Sequence, residues 1–386
     1  MSLRRDGRRR FLAAAAGASA GAWLAPWASA LAGAGDVGRV IAVIPFVGEG
    51  SFPIEASLGA GLGRRRALDL STVSPEELIT PAERFFIRTG CPDRLPPVAA
   101  WSVRVRGLVD RPVEIPLAQL RREAAPMGAH LLECAGNSRA AHYGFMSVAS
   151  WTGVPLERVL KRIVPAARAS QVLVSGIDEH SVLDPGSVPG ASWIFTRDQL
   201  RDAGAFLATE MNGAPLGRDH GHPLRLVVPG WYGCTAVKWV NEIALVDDEA
   251  PATDHMREYA GRTHQDGPEP PKRARDFQPA TIDPAAVAVR VEKTDAGGGR
   301  GIRYRIVGIR WGGRMTRALR IRLRPDQAFV PVEQSGPVPD NVWAVWSHTV
   351  ESMPPGRYRI ELAIDAPGVR TRRLAAGYYA REVDIG

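Results

Sequence analysis

Residues 250–284, APATDHMREYAGRTHQDGPEPPKRARDFQPATIDP, are rich in proline and charge and carry little hydrophobic periodicity. They divide the chain into two stretches of different character, and that division limits the folds open to it. After the divide come only short alternating segments: AVAVRVEK, IRYRIVGIRW, ALRIRLRP, VWAVWSHTV, RYRIELAID and YYAREVDI. Alternation at period two marks half-buried strands. Strands of this length and spacing suit a β-sandwich of about 100 residues, similar in plan to an immunoglobulin domain. Trp343 and Trp346 read as sandwich or interface residues. The divide itself reads as a linker or an ordered strap across a surface.

Before the divide, helical and strand periods are mixed. WSVRVRGLV (101–109) alternates as a strand, and MGAHLLECAG reads as a strand ending in a turn at Gly136-Asn137. VPLERVLKRIV (154–164) places Leu156, Val159, Leu160 and Ile163 on one helical face. QVLVSGI, PLRLVVPG and AVKWVNEIALV are strands, and Asn212-Gly213 between two apolar runs signals a hairpin. Ser74 with Glu77 three residues on predicts a capping box and a short helix. No regular β–α–β rhythm is present, so the class is α+β rather than a doubly wound sheet. With 386 residues, 31 prolines and 40 glycines, more than one core and many tight turns are expected. The predicted organisation is an export signal over 1–30, a mixed domain over 31–250, a strap over 251–284 and a sandwich over 285–386.

The first thirty residues, MSLRRDGRRRFLAAAAGASAGAWLAPWASA, run from basic residues to an Ala-rich apolar stretch and a small-residue Ala28-Ser29-Ala30 site. That is the pattern of an export signal. Arg8-Arg9-Arg10-Phe11-Leu12 fits the twin-arginine version, which predicts a periplasmic protein folded before export, often with its cofactor in place. A membrane-anchoring helix is the competing reading, for which the apolar run is short and Ala-rich. No later segment holds 18 uninterrupted apolar residues, so no membrane span is expected after the signal. The five arginines of this segment, set against Asp6, contribute +4 of the formal charge of +8. The remaining charge could steer an anionic substrate or an acidic partner, but no basic run interleaved with aromatics indicates nucleic acid.

Three cysteines, Cys91, Cys134 and Cys234, leave at least one unpaired unless the chain dimerises through it. There is no C-x-x-C and no C-x-x-C-H, so zinc ribbons and covalent haem are unsupported. A Cys91–Cys234 disulfide stays open. Cys134 in LLECAGNSR has two readings: a small buried hydrophobe, or a thiolate presented by a turn, with Arg139 close enough in sequence to lower its pKa. A lone thiolate cannot hold a metal, so a ligand role would require a cofactor to supply the rest. The segment 218–239, RDHGHPLRLVVPGWYGCTAVKW, sets His220, His222, Arg225 and Lys238 around an apolar strand and a glycine-containing turn. Such a site suits a phosphate, or it is a solvated strand edge with incidental charge. In ERFFIRTG, Arg88 follows an apolar triplet and would need an anion if held inward.

ECAGNSR, EMNGAPLGRDHGHPLRLVVPG and GCTAVKWVNEIAL, in that order and spacing, resemble the molybdopterin-dependent oxidoreductases of the sulfite oxidase family over about residues 70–250. The C-terminal sandwich is similar to that family's dimerisation domain. The resemblance implies molybdenum held by a molybdopterin and one cysteine sulfur. Residue by residue, Cys134 matches the ligating cysteine. His220, Arg225 and Lys238 match positions that hold the pterin and its phosphate, Arg88 and Arg139 match arginines of the anion pocket, and Tyr259 resembles the active-site tyrosine. An ordinary aromatic in a strap is the other reading of Tyr259.

The chain departs from the family in three places. Thr89-Gly90 follows Arg88 where the family has Asn-His, Thr235-Ala236 precedes the lysine, and AAHYGF stands where sulfite enzymes carry a tryptophan. His142 and Tyr143 therefore fall where selectivity could change, and Trp151 aligns with a packing tryptophan. The implied activity is oxygen-atom transfer at sulfur, foremost sulfite to sulfate, with electrons passed to an external c-type cytochrome from a homodimer. Reduction of an S- or N-oxide on the same cofactor is the alternative within the class. A non-catalytic exported binding protein without metal is the alternative outside it.

Overall fold

The computed structural model describes residues 38–180, 191–265, 267–295, 297–298, 301–313, 318–334 and 341–386. The export signal expected over 1–30 lies outside them. The described residues build four five-stranded sheets. The longest α-helix among them is Leu117–Glu123, with seven residues. The α+β class is borne out, with sheets doing most of the work and helices only bridging them.

Two sheets carry the mixed half. One runs Val113–Pro116, Ser102–Gly107, Val240–Val246, Gln171–Gly176, Ser192–Thr196, with Ser102–Gly107 and Val240–Val246 as its parallel pair. The other runs Ala214–Pro215, Phe206–Met211, Met146–Pro155, Ala125–Glu133, with Arg225–Val227 also on Phe206–Met211. The apolar runs supply the reason: Val103, Val105, Val172, Val174 and Ile243 alternate onto one buried face. Asn212 (φ 54°) and Gly213 (φ 77°) form the expected hairpin turn, both in the left-handed region that a two-residue loop demands.

Two expected helices change. Residues 73–80 form no helix, and Ser74 and Glu77 share only a turn bond, Glu77 N–H to Ser74 O at 3.4 Å. The chain there is held at both ends. Val73 O accepts from Arg290 (2.9 Å) and Thr80 N–H donates to Val148 O (2.8 Å), so backbone groups at both ends of the span bond distant parts of the chain instead of a helical turn. A capping box does form elsewhere, at Thr196 and Gln199, opening the helix Arg197–Asp202. The helix expected over 154–164 is only Leu156–Leu160, because Val154 and Pro155 pair with Leu207 and Phe206 as the end of a strand. Leu156, Val159 and Leu160 nonetheless form its buried face.

The other two sheets form the sandwich. One is Arg39–Ile44, Ala285–Asp295, Ile302–Trp311, Ala344–Val350, Glu333–Gln334, and the other Val330–Pro331, Leu319–Arg322, Gly356–Ile364, Arg381–Ile385, Phe46–Val47. Residues 39–47 thus lend an edge strand to each sandwich sheet, far from them in sequence. Trp311, Trp343 and Trp346 are each 1% exposed within it.

Gly308 faces Trp346 across the ladder, and a Cβ there would lie 2.1 Å from the Trp346 ring. The ring sits where a side chain would stand. Gly308→Ala is expected to destabilise the protein by about 1–3 kcal/mol through overpacking, read from urea unfolding. A change under about 0.5 kcal/mol, the size of an ordinary surface substitution, would refute this packing.

Candidate active site

Strand Ala125–Glu133 delivers Cys134 to a tight turn. Cys134 N–H donates to Phe145 O (2.9 Å), and Asn137 N–H donates to Cys134 O (2.9 Å). Asn137 is fully buried, and its Oδ1 accepts from Phe145 N–H at 3.0 Å, which pins the turn. Cys134 Sγ is buried and accepts from Gly136 N–H at 3.3 Å. Burial pushes the Cys134 thiol up, against the pull of Arg88, the Gly136 amide and Arg262. The cations that favour its thiolate are therefore Arg88 and Arg262, not Arg139.

Arg225 and Lys238 face each other across an antiparallel bridge. Gly221 (φ +103°) makes room for both: a Cβ there would stand 3.0 Å from Arg225 Cβ and 3.2 Å from Lys238 Cβ. Arg225 is buried, donating to His220 O (3.1 Å) and Ala236 O (3.2 Å), and burial brings its pKa down to about 9. Lys238 Nζ donates to Thr89 O and to Asp219 O, and burial together with Arg225 lowers its pKa as well. Like charges set side by side repel, so this pair calls for an anion.

The strap between the two halves contains a short helix, Asp254–Tyr259, capped by Thr253, whose Oγ1 accepts from Met256 N–H and donates to Ser192 O. His255 and Tyr259 lie one turn apart and face the same way, with ring centroids 5.1 Å apart. Ser192 N–H donates to His255 Nδ1 at 3.1 Å, which leaves Nε2 as the N–H donor of the neutral ring. Burial, with Arg88, lowers the His255 pKa to about 4. Burial holds the Tyr259 hydroxyl protonated.

These elements close around one cavity with about 690 Å³ of empty space, its mouth included. Of the seven residues singled out from sequence, Arg88, Cys134, Arg225, Lys238 and Tyr259 line it. His220 stands behind Arg225, its Nε2 3.1 Å from Ala82 O, and burial plus the two neighbouring cations lowers its pKa to about 3.

Arg139 does not line the cavity. His142 (φ 51°) and Tyr143 (φ 60°) turn the chain after it, and its guanidinium donates to Ala380 O instead. His142 pairs with Glu49 and Tyr143 bonds Tyr378 O, so neither reaches the cavity. Trp151 packs under Arg225, whose guanidinium lies 5.3 Å from the ring centre. All three cysteines are free thiols, and Cys234 lines the cavity beside Cys134.

Sequence reasoning missed His255, Asp178 and Arg262. The spacing of His255 four residues before Tyr259 was the available signal, hidden because the strap lacks apolar periodicity. Asp178 lies in the 3-10 turn after strand Gln171–Gly176 and lines the cavity. Arg262 lies one turn after Tyr259, its guanidinium 5.5 Å from that ring. A Cβ on Gly136 would stand 3.6 Å from Arg262 Nη1 and 3.8 Å from Cys134 Sγ, which places that arginine by the thiol.

Among the described residues no three His, Cys, Asp or Glu side chains cluster to hold a metal. A metal at Cys134 would draw its other ligands from a cofactor. The donors present fit an anionic one: among the described residues Arg88 Nη1 and Arg225 Nε are buried without a hydrogen-bond partner, and Lys238 stands beside them. A phosphate-bearing pterin would supply the acceptors that these groups lack.

Comparison with known proteins agrees. Residues 91–254 match the family described as oxidoreductase molybdopterin binding domain. Sulfite oxidase of Gallus gallus is 34% identical over 203 residues, covering 48% of this chain and 43% of that protein. The NADPH nitrate reductase of Emericella nidulans is 30% identical over 209 residues, 50% of this chain and 23% of that protein. The protein-methionine-sulfoxide reductase catalytic subunit MsrP of Xanthomonas campestris is 33% identical over 160 residues, 39% and 46%. The chain thus spans less than half the length of these relatives. The crystal structure of the sulfane dehydrogenase SoxCD from Paracoccus pantotrophus shares the fold, with a TM-score of 0.64 at 18% identity over 85% of this chain and 89% of that one. Residues 91–254 are thus similar to the molybdopterin-binding domain of oxidoreductases, and over about half its length the chain is similar to sulfite oxidase.

Proposed function

We propose that this enzyme transfers an oxygen atom at sulfur, oxidising sulfite with water to sulfate, two protons and two electrons. The observation that carries this reading is the buried, unpaired Arg88 Nη1 in the same cavity as Cys134. Arg88 binds the oxyanion and offsets its charge in a site with little water. Tyr259 and the Nε2–H of His255, which line the same cavity, help orient it. Cys134 holds the metal, and Arg225 and Lys238, backed by His220, hold the pterin and its phosphate. When bound, the molybdenum cofactor supplies the oxygen-atom transfer and the two-electron change. For the electrons we propose a separate carrier, a c-type cytochrome, with the enzyme exported by the twin-arginine route as a homodimer.

A second reading, reduction of an S- or N-oxide, is favoured by one observation. Arg139 is turned to Ala380 O, so of the two arginines expected in the anion pocket Arg88 alone lines the cavity, and less positive charge meets a dianion. The similarity to the methionine-sulfoxide reductase subunit is compatible with it.

Molybdenum-loaded protein should reduce ferricyanide in the presence of sulfite. Turnover of a sulfoxide with reduced viologen, and none of sulfite, would favour the second reading and end the first. Cys134→Ser should lose bound molybdenum and activity together. Arg88→Gln should lower kcat/KM for sulfite by about a hundredfold, the size seen when one preorganised donor is removed. Unchanged kcat/KM would remove Arg88 from the substrate site.

Both buried histidines also set a pH dependence. Their folded pKa values lie near 3 for His220 and 4 for His255, below the usual 6.5, so the unfolded chain binds protons first as pH falls. The histidine contribution should be complete above about pH 7 and be lost below 6.5, by up to about 1.4 kcal/mol per pH unit for each histidine. Unfolding midpoints measured from pH 8 to 4 check this, and His255→Gln should flatten the fall. A variant with an unaltered slope would contradict it.

A further inference from the structure

Cys134 and its neighbour Glu133 point to opposite sides of the chain, as successive strand residues do. Cys134 faces the cavity. Glu133 faces the sandwich and is fully buried. Its Oε2 accepts from Trp311 Nε1 at 2.7 Å, and its Oε1 lies 3.5 Å from both the Tyr379 hydroxyl and Asn137 Nδ2. Trp311 ends a sandwich strand, and Tyr379 lies in the C-terminal segment just before the last one.

That C-terminal segment meets the cysteine turn repeatedly. Arg373 Nη2 donates to Ala135 O at 2.8 Å, and also to Arg262 O at 2.8 Å. The Tyr378 hydroxyl donates to Asn137 O at 2.7 Å, and Tyr143 donates to Tyr378 O at 2.6 Å. Arg139 donates to Ala380 O. The residues directly before and after Cys134 are therefore both held by the C-terminal half. A buried carboxyl is costly unless its oxygens are satisfied, and here most of the partners come from the sandwich side.

We infer that Glu133 is a positioning residue for the Cys134 thiolate, and that Trp311 and the segment 372–381 complete the metal-binding turn from the C-terminal half. The inference rests on reading Cys134 as the metal ligand. Its physical content is that groups bonded to the flanks of a ligand fix the sulfur's direction toward the metal, and with it the electronic character of the metal–sulfur bond. The sandwich then belongs to the cofactor site as well as to any contact between copies.

The test compares molybdenum-loaded wild type with Glu133→Gln, Trp311→Phe, Tyr379→Phe and the control Trp343→Phe. Trp343 is as buried as Trp311 in the same half, but its Nε1 has no hydrogen-bond partner. Molybdenum retained after gel filtration, the Mo(V) paramagnetic resonance g values and the unfolding midpoint are read for each. The three variants at the turn should retain about tenfold less molybdenum or show shifted g values, the usual scale for groups supporting a metal ligand. Trp343→Phe should lose stability while keeping wild-type g values and metal content. If the turn variants match wild type in both metal readings, or if Trp343→Phe shifts them equally, the inference is overturned. Should Glu133→Gln not fold, Tyr379→Phe, which removes one hydroxyl, decides by the same readings. A wild type that takes up no molybdenum would instead overturn the proposed function.

Discussion

Arg225 and Lys238 are fixed face to face across a bridge at the edge of the cavity, with Gly221 allowing the approach. Two cations in that arrangement lose hydration and repel each other, and neither effect is cancelled by the protein alone. Burial lowers the pKa of both. The carbonyls of His220, Ala236, Thr89 and Asp219 take up part of their donor capacity and hold the side chains in place. The rest of the cavity is arranged around this floor. A group that brings phosphate to it would offset that repulsion.

The far wall comes from a segment with no such electrostatic signature. Thr253 starts a six-residue helix across the mixed half, and its hydroxyl bonds both the helix and Ser192. Because helical side chains four residues apart share a face, His255 and Tyr259 arrive together. The Ser192 amide then selects the histidine tautomer. A short capped helix is marginal by itself, so its burial against strand Ser192–Thr196 is what keeps it formed.

The cysteine turn shows how far local sequence could be read. That Cys134 ends a strand and precedes a turn was legible, since MGAHLLECAG carries the alternation and Gly136-Asn137 the break. The role of Arg139 was not. Proximity in sequence suggested a partner for the thiol, yet two consecutive left-handed residues, His142 and Tyr143, carry the chain off and Arg139 bonds the C-terminal half. Arg262, from beyond the divide, stands by the thiol instead. The short helices fared similarly: Ser74 and Glu77 had the right spacing, but Val73 and Thr80 are bonded to Arg290 and Val148 from distant parts of the chain.

The sequence by itself determined the α+β class, the sandwich after residue 285, and the residue types of the cavity, because periodicity, turn chemistry and motif spacing are local properties. It also marked Arg88, Cys134, Arg225, Lys238 and Tyr259, which the fold gathers into one cavity. Only the tertiary structure decided which arginine stands by the thiol, which histidine faces the cavity, and that Glu133 is held from the sandwich. Each of those depends on contacts between residues sixty or more positions apart, and their direction follows from how separate elements pack rather than from any pattern along the chain.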